Sequence, residues 1–119
     1  MRYVVVIDDE KMVEEYLETI LKRAGYSEAS FTEPNEALDF IKQNRGDIAP
    51  VVADLTMPRM TGAKLAEELM NVKADIPVIL VTGALAAPGA DELSGNVKTV
   101  LQKPMTRRQF IQTVEMLIG

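Results

Sequence analysis

The 119-residue chain contains neither histidine nor cysteine, so imidazole and thiolate chemistry are absent and carboxylates, hydroxyls and amines remain. Ser-His triads, disulfides and nitrogen or sulfur ligation of metals are excluded with them. Five polar residues stand at or just past the ends of short apolar runs. Asp8 and Asp9 follow Val4, Val5, Val6 and Ile7; Asp54 follows residues 48–53; Thr82 follows residues 78–81; Lys103 comes just after residues 97–101. Taken singly, each has an ordinary explanation: a helix cap for Asp9, a turn for Asp54, a strand-end hydroxyl for Thr82, a solvated charge for Lys103. Taken together they are three acids, a hydroxyl and an amine. Two carboxylates ~4 Å apart at an effective dielectric near 20 repel by about 4 kcal/mol, so a pocket gathering the three acids needs a cation. An all-oxygen donor set with few carboxylates suits Mg2+ better than calcium, with Mn2+ as a substitute. Such an ion beside Asp54 would neutralise an incoming phosphoryl group, and Thr82 and Lys103 would bind the remaining phosphoryl oxygens. Asp54 is then a nucleophile.

These residues must be brought together by the elements between them. Residues 2–7, 48–53, 78–81 and 97–101 are apolar runs of strand length, several without polar alternation, as expected of strands buried on both faces; residues 28–31 make a further short strand. Pro50 belongs near a strand start, because it has no N–H to donate. Residues 10–24 carry Met12, Val13, Tyr16, Leu17, Ile20, Leu21 and Ala24 at helical spacing, with Glu14, Glu15, Glu18, Lys22 and Arg23 on the wet side and Gly25 as the stop. Thr32 and Pro34 open a second helix through Ala37, Leu38 and Ile41. Thr61 caps a third, with Leu65, Ala66, Leu69 and Met70 on one side. Residues 83–96 hold three glycines and a proline, so a helix there is short or irregular. Thr106 and Gln109 form a capping box before Phe110, Ile111, Val114, Leu117 and Ile118. Five strands alternating with five helical segments predict an α/β fold, a doubly wound five-stranded parallel sheet with helices on both faces. Ligands bind such sheets beyond the carboxyl ends of the strands, where the five polar residues stand.

Composition agrees with one soluble domain over residues 1–119: 47% hydrophobic and 26% charged residues lie near the globular average. Eighteen acids against 13 bases give a net charge of -5, which opposes direct contact with nucleic acid. No stretch suits membrane insertion or a secretory leader, so a cytoplasmic location is expected.

Four motifs in order carry a resemblance that spans essentially the whole chain: Asp8-Asp9-Glu10; Asp54-Leu55-Thr56-Met57-Pro58 with Met60 and Gly62; Val81-Thr82-Gly83; and Lys103-Pro104. The sequence resembles a receiver domain of two-component signal transduction, of flavodoxin-like architecture. The resemblance implies that Asp54 accepts a phosphoryl group from a histidine kinase or a histidine phosphotransfer domain. It implies that Asp9 and Asp54 bind magnesium directly, Thr56 through its main-chain carbonyl and Asp8 through water. It also implies that Thr82 and Lys103 bind the phosphoryl oxygens, that Lys103-Pro104 is cis, and that the domain catalyses its own phosphorylation and slow dephosphorylation without true turnover; a weak homodimer is a further expected partner state. A stand-alone regulator and the receiver of a hybrid histidine kinase both fit.

One departure stands out: such domains commonly carry an aromatic residue three positions before the lysine, where this chain has Val100. An output that is weak, or carried by ordering of residues 83–96 rather than by a rotating ring, is the expectation. An aspartate-nucleophile phosphatase needs a second acid two residues after the nucleophile, where Thr56 stands. A flavin phosphate would be repelled by Asp8, Asp9 and Glu10. A pseudo-receiver that only docks is the alternative left open. Met12, Met57, Met60 and Met105 flank the motifs; exposure of Met57 and Met60 is expected if they form an apolar docking rim, and burial of all four if they fill the core.

Overall fold

The computed structural model describes residues 2–83 and 93–118. Its strands are β1 (Tyr3–Ile7), β2 (Ser27–Phe31), β3 (Ile48–Asp54), β4 (Val78–Thr82) and β5 (Val97–Gln102). Its helices are α1 (Lys11–Arg23), α2 (Pro34–Gln43), α3 (Gly62–Lys73) and α4 (Arg107–Ile118), with a 3-10 turn at Arg45–Asp47. All strand pairs are parallel, in the order β2-β1-β3-β4-β5. This is the doubly wound sheet expected from the sequence, and the order reverses at β1 and β3, where the crevice for a ligand lies.

Strand alternation explains why both faces are covered. Val5, Ile7, Val51, Ala53, Val78 and Leu80 point into one core with Ala37, Leu38 and Ile41 of α2 and Leu65, Ala66 and Leu69 of α3. Val4, Val6, Val52, Ile79 and Val81 point to the other, against Leu17, Ile20 and Leu21 of α1 and Phe110 and Val114 of α4. Successive side chains leave opposite faces of a strand, so a run such as Val4 to Ile7 is apolar throughout because it serves two cores. All of β3 is buried. Pro50 sits inside that strand, where the β1 to β3 register slips between Tyr3 and Val5, a bulge of the kind that accommodates a residue without a donor. The Ala49-Pro50 and Lys103-Pro104 peptides are cis, the second as expected.

Helix ends follow their local chemistry. Gly25, at φ 90°, closes α1: Tyr26 N–H donates to the Leu21 carbonyl and Gly25 N–H to that of Lys22, the paired bonds that a left-handed residue permits. Thr61 Oγ1 accepts from Lys64 N at 3.1 Å to start α3. The capping box of α4 is reciprocal, Gln109 N donating to Thr106 Oγ1 at 3.0 Å and Thr106 N to Gln109 Oε1 at 2.8 Å.

Two readings of α1 are corrected. Glu14, expected on the wet side, is buried, because with Leu17 and Leu21 it occupies the i, i+3, i+7 stripe that faces the sheet. Lys11 reaches it at 3.2 Å. Met12 and Tyr16 lie off that stripe and are exposed, at 84% and 53%. The four methionines divide: Met57 is core, Met60 and Met105 are half-buried, and Met12 is in solvent. Neither expectation is met: Met57 is buried and so gives the rim no support, while Met12 in solvent is not core filling. The irregular segment expected within residues 83–96 lies largely outside the described residues. No described helix is long and apolar enough to cross a membrane.

Candidate functional site

The sheet register assembles the site. Ile7 pairs with Ala53, Asp54 with Val81, and Thr82 with Gln102, so Asp8, Asp54, Thr82 and Lys103 descend as a stair along the carboxyl edge. The hydrogen-bond ladder runs one step past the strands. Asp8 N donates to Phe31 O at 3.1 Å, Leu55 N to Val81 O at 2.8 Å, and Lys103 N to Thr82 O at 2.7 Å. The backbone beneath each side chain is therefore fixed by the sheet rather than by a free loop.

Both buried acids are held alike. Asp8 Oδ1 accepts from Glu10 N, and Asp54 Oδ1 from Thr56 N, each at 2.9 Å. These local turns leave both Oδ2 atoms facing Lys103, whose Nζ lies 3.2 Å from Asp54 and 3.4 Å from Asp8. Asp8, Asp54 and Thr82 are each 5% exposed or less. Burial raises the Asp8 carboxyl above its ordinary 3.8; the Glu10 amide and Lys103 pull it down, while Asp54 adds to the rise. Burial alone would lower Lys103, but the attraction of Asp8 and Asp54 outweighs it and the amine stands above its ordinary 10.5.

The raised lysine sets a pH dependence. A cation whose folded value exceeds its unfolded one stabilises fully below the unfolded value and loses that contribution as pH climbs through the folded one. In chelator-treated protein, the gap in unfolding midpoint between wild type and Lys103→Met is therefore expected to be constant from neutral pH up to 10.5 and to narrow above it. Thermal unfolding of both proteins across that range checks this; a gap that stays constant there would remove the ion pair from the folded state.

Carboxylate oxygens of Asp8, Glu10 and Asp54 lie within 4.8 Å of one another, the group among the described residues with a spacing that can hold a metal. The donor set is oxygen only, which suits a hard cation. Of the acids named from sequence, Asp8 and Asp54 come together here, and Asp9 is exposed. Glu10 takes the third place. The bond from Glu10 N to Asp8 Oδ1 turns the chain so that residue 10 comes back beside the acids, a local turn that the doubled aspartate obscures in the sequence. Thr56 meets Asp54 through its amide, and Thr82 lies buried at the same edge. Gly62 completes the floor: a Cβ there would stand 2.6 Å from the Asp54 carbonyl oxygen and 2.8 Å from Leu80 Cδ2.

Comparison with known proteins agrees with this geometry. The family model of the response regulator receiver domain matches residues 4–115. Response regulator MprA of Mycobacterium sp. (strain KMS) is 29% identical over 116 residues, covering 97% of this chain and 50% of that protein; the chain thus spans about half the length of this curated relative. A response regulator receiver domain protein from Clostridium thermocellum superposes with a TM-score of 0.89 at 22% identity, over 98% of this chain and 93% of that one. A chain of the CheX–CheY–BeF3–Mg2+ complex from Borrelia burgdorferi gives 0.88 at 22%, over 99% and 90%.

Proposed function

The chain belongs to the response regulator receiver domain family, and from that premise we propose that it is a phosphorylation-dependent switch whose acceptor is Asp54. The observation that carries this reading is the bridge from Lys103 Nζ to the Oδ2 atoms of Asp8 and Asp54. A tethered cation at the acceptor oxygen is what an acid needs to take on further negative charge. In the transfer, an Asp54 carboxylate oxygen attacks the phosphorus of a phosphohistidine on a histidine kinase or phosphotransfer partner. The phosphorus–nitrogen bond breaks, its electron pair returns to the imidazole, and an acyl phosphate remains on Asp54. Lys103 and the Thr82 hydroxyl bind the phosphoryl oxygens. Asp8, Asp9, Asp54 and the Thr56 carbonyl would hold magnesium, with Glu10 beside them. When bound, the ion supplies charge that offsets the acids and the phosphoryl group. The structural neighbour in complex with BeF3 and Mg2+ supports this ligand chemistry.

Thr56, two residues beyond Asp54, carries no carboxyl to activate water, so we assign slow loss of the phosphoryl group rather than enzymatic turnover. The test is intact-mass measurement after incubation with a small phosphodonor, with magnesium and with a chelator. One added phosphoryl group that requires magnesium is expected; no addition under either condition would leave a docking module that takes no phosphate.

Metal binding has its own readout. A ligand of the folded state alone stabilises by RT ln(1 + [L]/Kd), about 2.7 kcal/mol at one hundred times Kd. For a domain of this size that raises the unfolding midpoint by roughly 10 °C. Equal midpoints in saturating magnesium and in chelator would eliminate the ion.

A further inference from the structure

The carboxyl edge of the sheet holds the acids; the opposite, amino edge gathers cations. There a cavity of about 160 Å³ is lined by Arg2 ahead of β1, by Arg45 and Gly46 of the 3-10 turn that leads into β3, and by Lys73 and Asp75 between α3 and β4. β3 is seven residues long, which at ~3.3 Å per residue puts the cavity roughly 20 Å from Asp54. It is therefore separate from the acidic site. Lys73 is already satisfied, its Nζ lying 2.8 and 3.1 Å from the two carboxylate oxygens of Asp75. The guanidinium groups are not. That of Arg45, exposed, has no hydrogen bond or ion pair among the described residues, and that of Arg2 has a single 3.4 Å bond to the Ile118 carbonyl at the end of α4. Asp47, in the same turn as Arg45, pairs with neither. Three cations against the one carboxylate of Asp75 leave this cleft positive in a chain whose net charge is -5, and cations so gathered repel one another until something negative enters.

We propose that this cleft binds a dianionic phosphate group, free or at the end of a small phosphate ester, between the guanidinium groups of Arg2 and Arg45. A guanidinium presents paired N–H donors in a plane, at the spacing of two phosphate oxygens, and each of these arginines keeps most of its five donors unused. Size selects the group. A volume of about 160 Å³ is the space of roughly five waters, below the ~300 Å³ at which pockets begin to enclose a whole organic ligand. The phosphate is therefore held inside and any organic remainder lies outside. Charge selects it as well: a carboxylate brings two oxygens and one charge, whereas a phosphate ester brings three terminal oxygens and nearly two charges. Bound there, the group bridges the start of β1 and the turn before β3. The inference goes beyond phosphoryl transfer to Asp54 and does not depend on it.

The experiment titrates the full chain, in chelator, with inorganic phosphate, with adenosine monophosphate and with acetate at one ionic strength held by chloride, while backbone amide shifts are followed by NMR. Phosphate is expected to give saturating shifts at Arg2, Arg45, Gly46 and Asp75 and to bind at least about tenfold more tightly than acetate. Arg45→Gln is expected to weaken it about tenfold. Gly46→Asp, whose new Cβ meets nothing within 4 Å, sets a carboxylate at the rim and is expected to weaken it by a similar factor. Both positions are exposed, so both variants should keep the wild-type unfolding midpoint without phosphate, which separates lost binding from lost fold. Equal affinity for phosphate and adenosine monophosphate would identify free phosphate as sufficient, and tighter binding of the nucleotide would place the group on an ester. Three results would each overturn the proposal: shifts that follow ionic strength without saturating, shifts confined to the Lys103 edge, or undiminished affinity in Arg45→Gln.

Discussion

Replacing Asp54 by asparagine is expected to abolish phosphoryl uptake completely while leaving the fold intact. Asparagine keeps the shape of the side chain, and its amide oxygen can still accept from Thr56 N, the bond that orients Oδ1 at 2.9 Å. What it removes is the negative oxygen facing Lys103 at 3.2 Å. An amide oxygen is a poor nucleophile at phosphorus, and neutral asparagine no longer holds the lysine amine by charge. Intact mass after treatment with phosphodonor and magnesium should show one added group in wild type and none in Asp54→Asn, with matching circular dichroism spectra. Continued uptake by the variant would place the acceptor elsewhere, with Asp8, the other buried acid on the same lysine, the first to examine.

Gly62→Ala is expected to damage stability and transfer together, although residue 62 bears no reacting group. The backbone at Gly62 is ordinary helix, so conformational freedom does not explain the glycine. Space does: the new Cβ would stand 2.6 Å from the Asp54 carbonyl oxygen, 2.8 Å from Leu80 Cδ2 and 3.1 Å from the Asp54 carbonyl carbon. Leu80 can yield, but the carbonyl belongs to a buried central strand. Either α3 backs away or Asp54 is pushed. Overpacking of this kind costs roughly 1–3 kcal/mol, and a shift near 1 Å in a reacting group costs on the order of 100-fold in rate. Denaturant unfolding and the rate of phosphoryl uptake should both fall, with exposed Lys64→Ala on the same helix as control. Wild-type values for both in Gly62→Ala would mean that α3 does not press on the acceptor strand.

Much of this architecture was legible because burial on both faces leaves a plain mark. Val4 to Ile7 and Val78 to Val81 are apolar without alternation, and each ends where chemistry begins. Thr61, Gly25 and the Thr106/Gln109 pair announced helix ends through groups whose only local use is to satisfy free backbone atoms. The misses share a cause as well: they depend on which neighbour covers a residue. Glu14 is polar by type yet faces the sheet, because position on the helix, not polarity, determines direction. Glu10, not named from the sequence as a ligand, stands beside Asp8 and Asp54 through a turn made by Asp8, which spacing along the chain does not encode. The crowding at Gly62 is visible only once α3 is laid against β3.

Lys103, pinned by backbone to Thr82 and by charge to two acids, makes the resting pocket a site already occupied by a counterion that cannot diffuse away. Any divalent ion arriving there competes with this resident amine, so its apparent affinity is weaker than the acids alone would give. A phosphoryl group on Asp54, as proposed, would reverse that relation, because it would offer the amine a new anionic partner and free the carboxylates for the metal. On the proposed function, the domain would thereby grip a magnesium ion loosely at rest and firmly when phosphorylated, an ordering imposed by one tethered side chain.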